Sequence, residues 1–146
     1  MEAKRLLVIG NGMVGQRLLE NLAAGRHDYA ITVLCEEPRP AYDRVGLTSF
    51  FSGRTAEDLS LVPPRFFEDN GITLHLCERA EAIDRTARRV TTSSGRVLEY
   101  DRLVLATGSS PFVPPIPGRE RPQCFVYRTI EDLVAIREAA RHARSG

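Results

Sequence analysis

The feature that most constrains this chain is a glycine-rich turn that directly follows a short apolar run. Residues 6–9 (Leu-Leu-Val-Ile) are continuously apolar, which is typical of a parallel strand that is buried on both faces. The next six residues, 10–15, read Gly-Asn-Gly-Met-Val-Gly. A strand that runs straight into such a turn predicts a crossover unit, with a helix beginning inside the glycine motif.

The pattern after the turn supports that prediction. Apolar residues recur every fourth position, as on one face of a helix, at Val14, Leu18 and Leu22. Gly25 predicts the helix end, and residues 30–34 (Ala-Ile-Thr-Val-Leu) predict a second strand. The stretch 6–36 therefore has the order and length of one βαβ unit.

The three glycines suit the binding of a dinucleotide pyrophosphate at a helix N-terminus, where the helix dipole favours negative charge. Gly10 permits the tight turn, Gly12 lets a phosphate approach the backbone, and Gly15 lets the helix pack closely on the strand. Met13 and Val14 complete the loop. Since a strand pattern precedes the motif and a helix pattern follows it, we predict dinucleotide binding rather than a purely structural turn.

An acidic residue ends the second predicted strand. Glu36 lies 36 − 15 = 21 residues beyond the last glycine, close to the ~20 expected for a carboxylate that accepts hydrogen bonds from ribose hydroxyls. Glu37 is the adjacent alternative. We favour Glu36 because it follows the strand more directly, but these elements alone do not separate FAD from NAD.

Further along, residues 38–54 contain two prolines and two glycines and are expected to be irregular. A capping-box pattern at Thr55 and Asp58 predicts a short helix, and a second helix is expected from Pro63 to Gly71, followed by a strand at 72–76. Thr129 and Asp132 form another capping-box pattern, for a last helix running towards Gly146.

The second half departs from simple alternation of strands and helices. Residues 88–92 and 96–100 flank Ser-Ser-Gly, which predicts a hairpin. A buried strand pattern follows and ends in Ala-Thr-Gly at 106–108. With a hairpin followed by a buried strand that ends in Ala-Thr-Gly, the sequence resembles the two-dinucleotide flavoprotein reductases. This is the superfamily of ferredoxin reductases, NADH oxidases and glutathione reductase. That resemblance implies a Rossmann-like α/β fold, with a parallel sheet flanked by helices and an inserted antiparallel meander, and FAD as the cofactor.

A narrower resemblance rests on five segments. They are Glu-Glu-Pro-Arg-Pro at 36–40, Tyr-Asp-Arg at 42–44, Leu-Thr-Ser-Phe-Phe-Ser-Gly at 47–53, Thr-Ala-Glu-Asp-Leu-Ser-Leu at 55–61 and Cys-Phe-Val-Tyr-Arg-Thr-Ile-Glu-Asp-Leu at 124–133. These resemble the large subunit of the assimilatory NAD(P)H-dependent nitrite reductases. Two absences agree with it: Ser49 stands where similar ferredoxin reductases usually carry lysine, and residues 38–54 hold no cysteine of the kind that NADH oxidases place there.

The resemblance also implies roles for individual residues. The glycine loop would hold the FAD pyrophosphate and Glu36 the adenosine ribose. Further positions would contact the adenine by backbone (Ala80), the isoalloxazine or phosphates (Arg44, Ser49), the flavin (Thr107, Gly108) and the cofactor from a distant loop (Arg128). It implies no acid–base catalyst in this stretch.

The resemblance further implies that the NAD-binding domain, the segment that completes the FAD domain, and the sirohaem and iron–sulfur modules lie outside residues 1–146. NAD(P)H would be the co-substrate and the remaining domains or subunits the partners, and a homodimer through an uncovered sheet edge is a further expectation. The net charge of +1 disfavours a nucleic-acid partner. Since no apolar run approaches the ~20 residues that span a bilayer, we expect a cytoplasmic protein without membrane contact. The open alternatives are a ferredoxin or rubredoxin reductase and a non-catalytic nucleotide-binding module.

Overall fold

The apolar run at residues 6–9 lies at the centre of a parallel sheet in the computed structural model, which describes residues 3–144. The chain divides into two units, Met1–Tyr42 with Ser60–Gly108, and Asp43–Leu59 with Ser109–Gly146. The first unit contains the seven strands found among residues 3–144. Their bounds are β1 (Lys4–Ile9), β2 (Tyr29–Leu34), β3 (Thr73–His75), β4 (Ala80–Asp84), β5 (Arg89–Thr92), β6 (Val97–Glu99) and β7 (Arg102–Leu105).

Four of these strands form the parallel sheet in the order β3-β2-β1-β7, so β1 pairs with β2 on one side and with β7 on the other. Alternate residues of β1 enter two different cores because successive side chains of a strand point to opposite faces. Leu6 and Val8 pack with Leu19 of the following helix, whereas Leu7 and Ile9 pack with Val90 of β5. The continuous apolar run is therefore explained by burial on both faces, as the sequence predicted.

The helices of the first unit are α1 (Met13–Ala24) and α2 (Phe66–Asp69). Helix α1 begins inside the glycine motif and ends at Ala24, with the predicted Gly25 as its C-cap. The helix expected from Pro63 to Gly71 is reduced to the single turn of α2. The expected helix after Thr55, in the second unit, is wrong: Thr55 and Asp58 exchange both capping-box hydrogen bonds, but they close an isolated turn. A cap satisfies the first N–H groups of a helix without supplying the apolar face that would hold one.

Between β3 and β7 the chain forms an antiparallel sheet in the order β4-β5-β6. The predicted hairpin is its β5–β6 pair, with Gly95 at φ +81° in the turn. The whole is the three-stranded meander that the resemblance implied. Val90 of β5 is fully buried against the parallel sheet, so the meander takes the place of a helix layer on that face.

The second unit contains a 3-10 helix, Leu47–Ser52, and helix α3 (Ile130–His142). The 3-10 helix lies in a segment that the sequence predicted to be irregular; two of its residues, Leu47 and Phe50, are buried. Thr129 and Asp132 form the predicted capping box at the start of α3. The helix ends at His142, and the expected extension to Gly146 reaches residues outside those described. Among residues 3–144 no helix is long and apolar enough to cross a membrane.

At the start of β1, Arg5 joins the parallel sheet to the end of the meander. Its guanidinium donates to both carboxylate oxygens of Asp101, at 3.0 and 3.2 Å, and to Glu99 at 2.6 Å. The side-chain hydrogen bonds from Arg5 to Asp101, followed by one from the Arg5 backbone N–H, lower the pKa of Asp101 to about 2. Arg5, followed by Arg89, also lowers the pKa of Glu99.

We expect Asp101→Asn to reduce the acid sensitivity of this protein. The pKa of Asp101 is lower in the folded state, so its contribution to stability is complete above pH ~4 and is lost as the pH falls towards about 2. Urea unfolding measured across this range should show a shallower loss of stability in the variant than in the native protein. Glu57→Gln, which removes an exposed charge elsewhere, serves as the control. An acid dependence of Asp101→Asn equal to that of the native protein would contradict the assignment.

Candidate functional site

The candidate site lies at the carboxyl ends of the parallel strands. The glycine loop follows β1, Glu36 lies two residues after β2, and Ala106 follows β7. Since β1 has β2 on one side and β7 on the other, the strand order changes direction beside the glycine loop. Ligands of open α/β sheets bind in the crevice at such a switch point.

Gly10 is required by a close approach of two backbones. It has φ +107°, and a Cβ built on it would lie 2.1 Å from the carbonyl oxygen of Ala106 and 3.2 Å from the Cα of Thr107. The N–H of Ala106 in turn donates to the carbonyl of Ile9 at 2.8 Å. The turn after β1 and the turn after β7 are thus held in direct backbone contact, which only glycine at position 10 allows.

Gly15 performs a similar role one turn into α1. A Cβ there would lie 2.4 Å from the carbonyl oxygen of Gly10 and 3.6 Å from the Cβ of Ala106. The N-terminus of α1 is therefore pressed against the end of β1, as the sequence predicted for the third glycine.

Gly12 faces open space. It precedes α1 as the N-cap with an extended backbone, and apart from Gly12 itself and its two chain neighbours no described residue has a heavy atom within 4 Å of a Cβ built on it. The first turn of α1 consists of the uncharged residues Met13, Val14 and Gly15, and the Val14 side chain is 75% exposed. The N–H groups of this turn, with the positive end of the helix dipole, are thus accessible to an anion from solvent.

Two buried amides that the sequence analysis did not single out lie behind the loop. Asn11 and Gln16 are 6% and 1% exposed, and the Asn11 Nδ2 donates to the Gln16 Oε1 at 3.2 Å. The Asn11 Oδ1 accepts from the backbone N–H of Ala41 at 2.8 Å. The Nε2 of Gln16 is buried without an acceptor among the described residues. The only sequence signal for these two amides is the position of Asn11 between two glycines. The partners of Asn11 are Ala41, 30 residues away, and Gln16, on the buried face of α1, and no local pattern specifies them.

Glu36 and Glu37 are placed differently. The Glu37 Oε2 accepts a 2.6 Å hydrogen bond from the hydroxyl of Tyr42, whose side chain is buried. The Glu36 carboxylate lies at the surface, 3.6 Å from a guanidinium nitrogen of Arg79. Of these two residues, only Glu36 presents an accessible carboxylate at the carboxyl edge of the sheet, whereas the Glu37 carboxylate is engaged in the hydrogen bond from Tyr42. Arg79, which directly precedes β4 and pairs with Glu36 beyond the end of β2, was not identified from the sequence.

Ala80, the predicted adenine contact, begins β4 and is half-buried. Two residues earlier, the buried carboxylate of Glu78 accepts hydrogen bonds from the hydroxyls of Thr92 and Ser94. The hydrogen bond from Ser94, followed by that from Thr92, lowers the pKa of Glu78. These bonds tie the segment before Ala80 to the β5–β6 turn and fix where its backbone lies.

Thr107 and Gly108 follow β7 and are exposed, with Gly108 at φ +69°. Together with Gly10, Gly12, Met13, Val14, Gly15, Glu36, Glu37 and Ala80 they make up the predicted positions that lie in the first unit.

The second unit holds the other three predicted positions. Arg44 donates from a guanidinium nitrogen to the carbonyl of Arg128 at 2.9 Å, so this structure brings together two residues that are 84 positions apart. The Ser49 hydroxyl donates to the carbonyl of Gly46 at 2.6 Å, one turn earlier.

The residues of the first unit fit the pyrophosphate and ribose of a dinucleotide. Four features suit such a ligand: the helix N-terminus with an uncharged first turn, the open space at Gly12, the accessible Glu36 carboxylate, and the Nε2 of Gln16, which is buried behind the loop without an acceptor among the described residues. Among residues 3–144 no three His, Cys, Asp or Glu side chains form a group that could hold a metal ion.

Comparison with known proteins agrees with this geometry. Residues 4–145 match the pyridine nucleotide-disulphide oxidoreductase family. The chain is 51% identical over 148 residues to the nitrite reductase (NADH) large subunit of Escherichia coli K12, covering all of this chain and 18% of that protein. It is 50% identical over 143 residues to the nitrite reductase [NAD(P)H] large subunit of Klebsiella oxytoca, covering 97% of this chain and 15% of that protein.

Among solved structures, a ferredoxin reductase from Rhodopseudomonas palustris superposes with a TM-score of 0.87 at 28% identity, covering 95% of this chain and 35% of that one. The chain thus spans under a fifth of the two curated relatives and about a third of the solved structure.

We expect Gly15→Ala and Gly12→Ala to differ sharply in stability. The new methyl group at position 15 meets backbone at 2.4 Å, whereas at position 12 it meets open space. Overpacking against rigid backbone should cost roughly 3 kcal/mol, and the N-cap change less than about 1 kcal/mol. Urea unfolding of the ligand-free variants measures both values. Equal destabilisation of the two variants would mean that the loop does not pack as described.

Proposed function

The chain belongs to the pyridine nucleotide-disulphide oxidoreductase family, and on that premise we propose that it is the FAD-binding part of an NAD(P)H-dependent nitrite reductase large subunit. The observation that carries the proposal is the glycine cradle at the switch point of the sheet, where an uncharged helix N-terminus is open to solvent. The similarity over the full chain to two nitrite reductase large subunits supports the choice of enzyme.

In this proposal the cofactor pyrophosphate binds across the glycine loop. The N–H groups at the start of α1 would donate to its oxygens, and the helix dipole adds the equivalent of about half a positive charge. Gly12 leaves room for the phosphate, and the first turn of Met13 and Val14 carries no charge that would repel it. Gly10 and Gly15 act indirectly, by letting the two turns and the helix come close enough to form the cradle.

The adenosine half of the cofactor would lie beside the carboxyl end of β2 and the first residue of β4. The Glu36 carboxylate would accept hydrogen bonds from the ribose hydroxyls, and the backbone of Ala80 would meet the adenine. Since Glu37 accepts from Tyr42, its part is to support the strand end rather than to bind ribose.

The flavin half would meet Thr107 and Gly108 beside the glycine loop. We further propose that Arg44, Ser49 and Arg128 contact the same cofactor, as the resemblance implied, with Arg44 held by its hydrogen bond to the Arg128 carbonyl. Bound FAD would supply the exchange between hydride and single electrons, whereas the protein supplies binding and orientation.

The remaining steps belong to parts of the enzyme outside this chain. NAD(P)H would bind to a second nucleotide-binding domain, and sirohaem with an iron–sulfur cluster would take the electrons that reduce nitrite. The matched nitrite reductase subunits are more than five times as long as the region they share with this chain, which leaves room for such domains. We also propose a homodimer, which would form through an outer strand of the parallel sheet, β3 or β7.

A second candidate function is a flavin reductase that serves a ferredoxin or rubredoxin. It is favoured by the structural similarity to a ferredoxin reductase with a TM-score of 0.87. The higher identity to nitrite reductase subunits favours the first proposal. Assays of the whole enzyme with nitrite and with ferredoxin as alternative acceptors distinguish the two.

We expect the purified protein to bind FAD at about one equivalent, and Gly12→Ala to lose most of this affinity. The added methyl group would occupy the space through which a phosphate reaches the helix N-terminus, without disturbing the fold. The measurement is the visible absorption spectrum after incubation with FAD and desalting. A native protein that stays colourless but binds ADP would favour the nucleotide-binding module, and equal FAD binding by Gly12→Ala would contradict the proposed position of the pyrophosphate.

We expect Glu36→Gln to weaken FAD binding by roughly tenfold, as for the loss of a charged hydrogen-bond acceptor. Glu37→Gln is the matched control, because its carboxylate is engaged with Tyr42; it should change stability more than affinity. Fluorescence titration of FAD with each variant gives the dissociation constants. If Glu37→Gln weakens binding and Glu36→Gln does not, the ribose ligand is the neighbouring carboxylate.

A further inference from the structure

A cavity of about 530 Å³ lies at the end of the parallel sheet opposite the glycine loop. The described residues that line it all belong to the first unit: Ala3, Lys4, Arg5, Arg88, Asp101 and Arg102. They carry four positive charges against one negative charge. Pockets of this volume commonly hold small molecules, but the walls of such pockets are mostly apolar. A ligand that matches this lining is therefore small and negatively charged.

The backbone brings three of these cations together from separate segments. Lys4 begins β1 and Arg102 begins β7, and because these strands are parallel neighbours both residues lie at the same edge of the sheet. Arg88 directly precedes β5, and its carbonyl accepts from the N–H of Tyr100 at 2.9 Å. This hydrogen bond holds Arg88 beside the segment that leads into β7, so the three side chains surround one opening.

The single carboxylate of the cavity does not neutralise these three cations. Both oxygens of Asp101 accept hydrogen bonds from the guanidinium of Arg5. Arg102 donates only to the backbone carbonyl of Asp101, at 3.0 Å. Within residues 3–144, Lys4, Arg88 and Arg102 form no salt bridge, and all three are exposed. Three cations of the cavity are thus available to an anion from solvent.

The backbone of Arg88 is a second, independent observation. Its φ is +52°, in the left-handed region where a side chain costs conformational free energy and glycine does not. It ends the turn between β4 and β5, a place where the backbone conformation alone would favour glycine or asparagine. Strain of this kind is retained where the side chain has a function, and the Arg88 side chain lines the cavity.

We propose that this cavity binds a small polyphosphate anion, with Lys4, Arg88 and Arg102 as its ligands and Arg5 as a fixed wall. A guanidinium presents paired N–H donors that match two oxygens of a phosphate, and a phosphate chain carries several charges in a small volume. The concave shape favours such a ligand over the surface of an acidic protein. The site is independent of the proposed FAD site, since none of its residues is a predicted cofactor position.

The test is a titration of the native protein with inorganic tripolyphosphate at low ionic strength, followed by the backbone amide NMR shifts. We expect saturable shifts at Lys4, Arg88 and Arg102, and weaker binding of orthophosphate, which carries fewer charges. Added salt should weaken both. ATP distinguishes the two sources of a phosphate chain: tighter binding than tripolyphosphate indicates a nucleotide, and equal or weaker binding indicates free polyphosphate.

Arg88→Gly should weaken tripolyphosphate binding about fivefold, as for the loss of one exposed charge pair. It should not lower the urea concentration at which the protein unfolds, because glycine relieves the left-handed backbone. Arg85→Gln is the matched control: it removes an equal charge from the same turn, but Arg85 is not among the described residues that line the cavity. Its affinity for tripolyphosphate should equal that of the native protein. Arg102→Gln gives a second measurement if Arg88→Gly does not fold.

Three results would overturn the proposal. Shifts confined to Gly12 and Met13 would mean that the probe binds only at the glycine loop. Equal weakening by Arg85→Gln and Arg88→Gly, or no saturable shift at all, would mean that the cations attract anions without forming a site. Tighter binding of a hexaglutamate peptide than of tripolyphosphate would assign the cavity to an acidic protein partner.

Discussion

The contact between the backbones of Gly10 and Ala106 is the constraint on which the rest of this structure depends. The two turns follow neighbouring parallel strands, β1 and β7, and the carbonyl oxygen of Ala106 occupies the space of a Cβ at position 10. Because the turns are in contact, α1 can begin at the strand edge with its N–H groups directed to solvent. The cradle, the exposed Thr107-Gly108 turn and the open space at Gly12 are consequences of this one approach.

Burial of β1 on both faces makes that approach possible. One face is covered by α1 through Leu19, and the other by the meander through Val90 and Tyr100. The two layers hold the strand end in place by apolar contacts, without using the N–H groups of the first turn of α1. The ion pairs of Arg5 act at the opposite, N-terminal end of the same strand, where β1 meets the segment between β6 and β7. Stabilising charges and the candidate site are therefore separated by the length of the strand.

The site itself is electrostatically simple. In the first unit it offers backbone N–H groups, one accessible carboxylate and a turn of small residues, as suits a group that brings its own chemistry. Two other carboxylates, one after β2 and one before β4, are engaged in hydrogen bonds: Glu37 accepts from Tyr42, and Glu78 accepts from Thr92 and Ser94. The pKa of Glu78 is lowered by those hydroxyls, so it stays a charged acceptor that orders the backbone before Ala80.

The amino-acid sequence by itself determined the features that depend on local pattern. These are the βαβ unit around the glycine motif, the β5–β6 hairpin, the capping box of α3, and the tight turn at Gly10 with the close helix packing at Gly15, because periodicity and backbone freedom are properties of neighbouring residues. The tertiary structure decided what depends on distant partners. It left Thr55 and Asp58 in a turn, since capping hydrogen bonds alone do not hold a helix. In the folded chain Arg79 pairs with Glu36, and Arg44 donates to the carbonyl of Arg128. Glu37 accepts from Tyr42, and Asn11 accepts from the N–H of Ala41. Such contacts join positions up to 84 residues apart, and no local pattern specifies them, because they arise only when the folded chain has brought distant segments together.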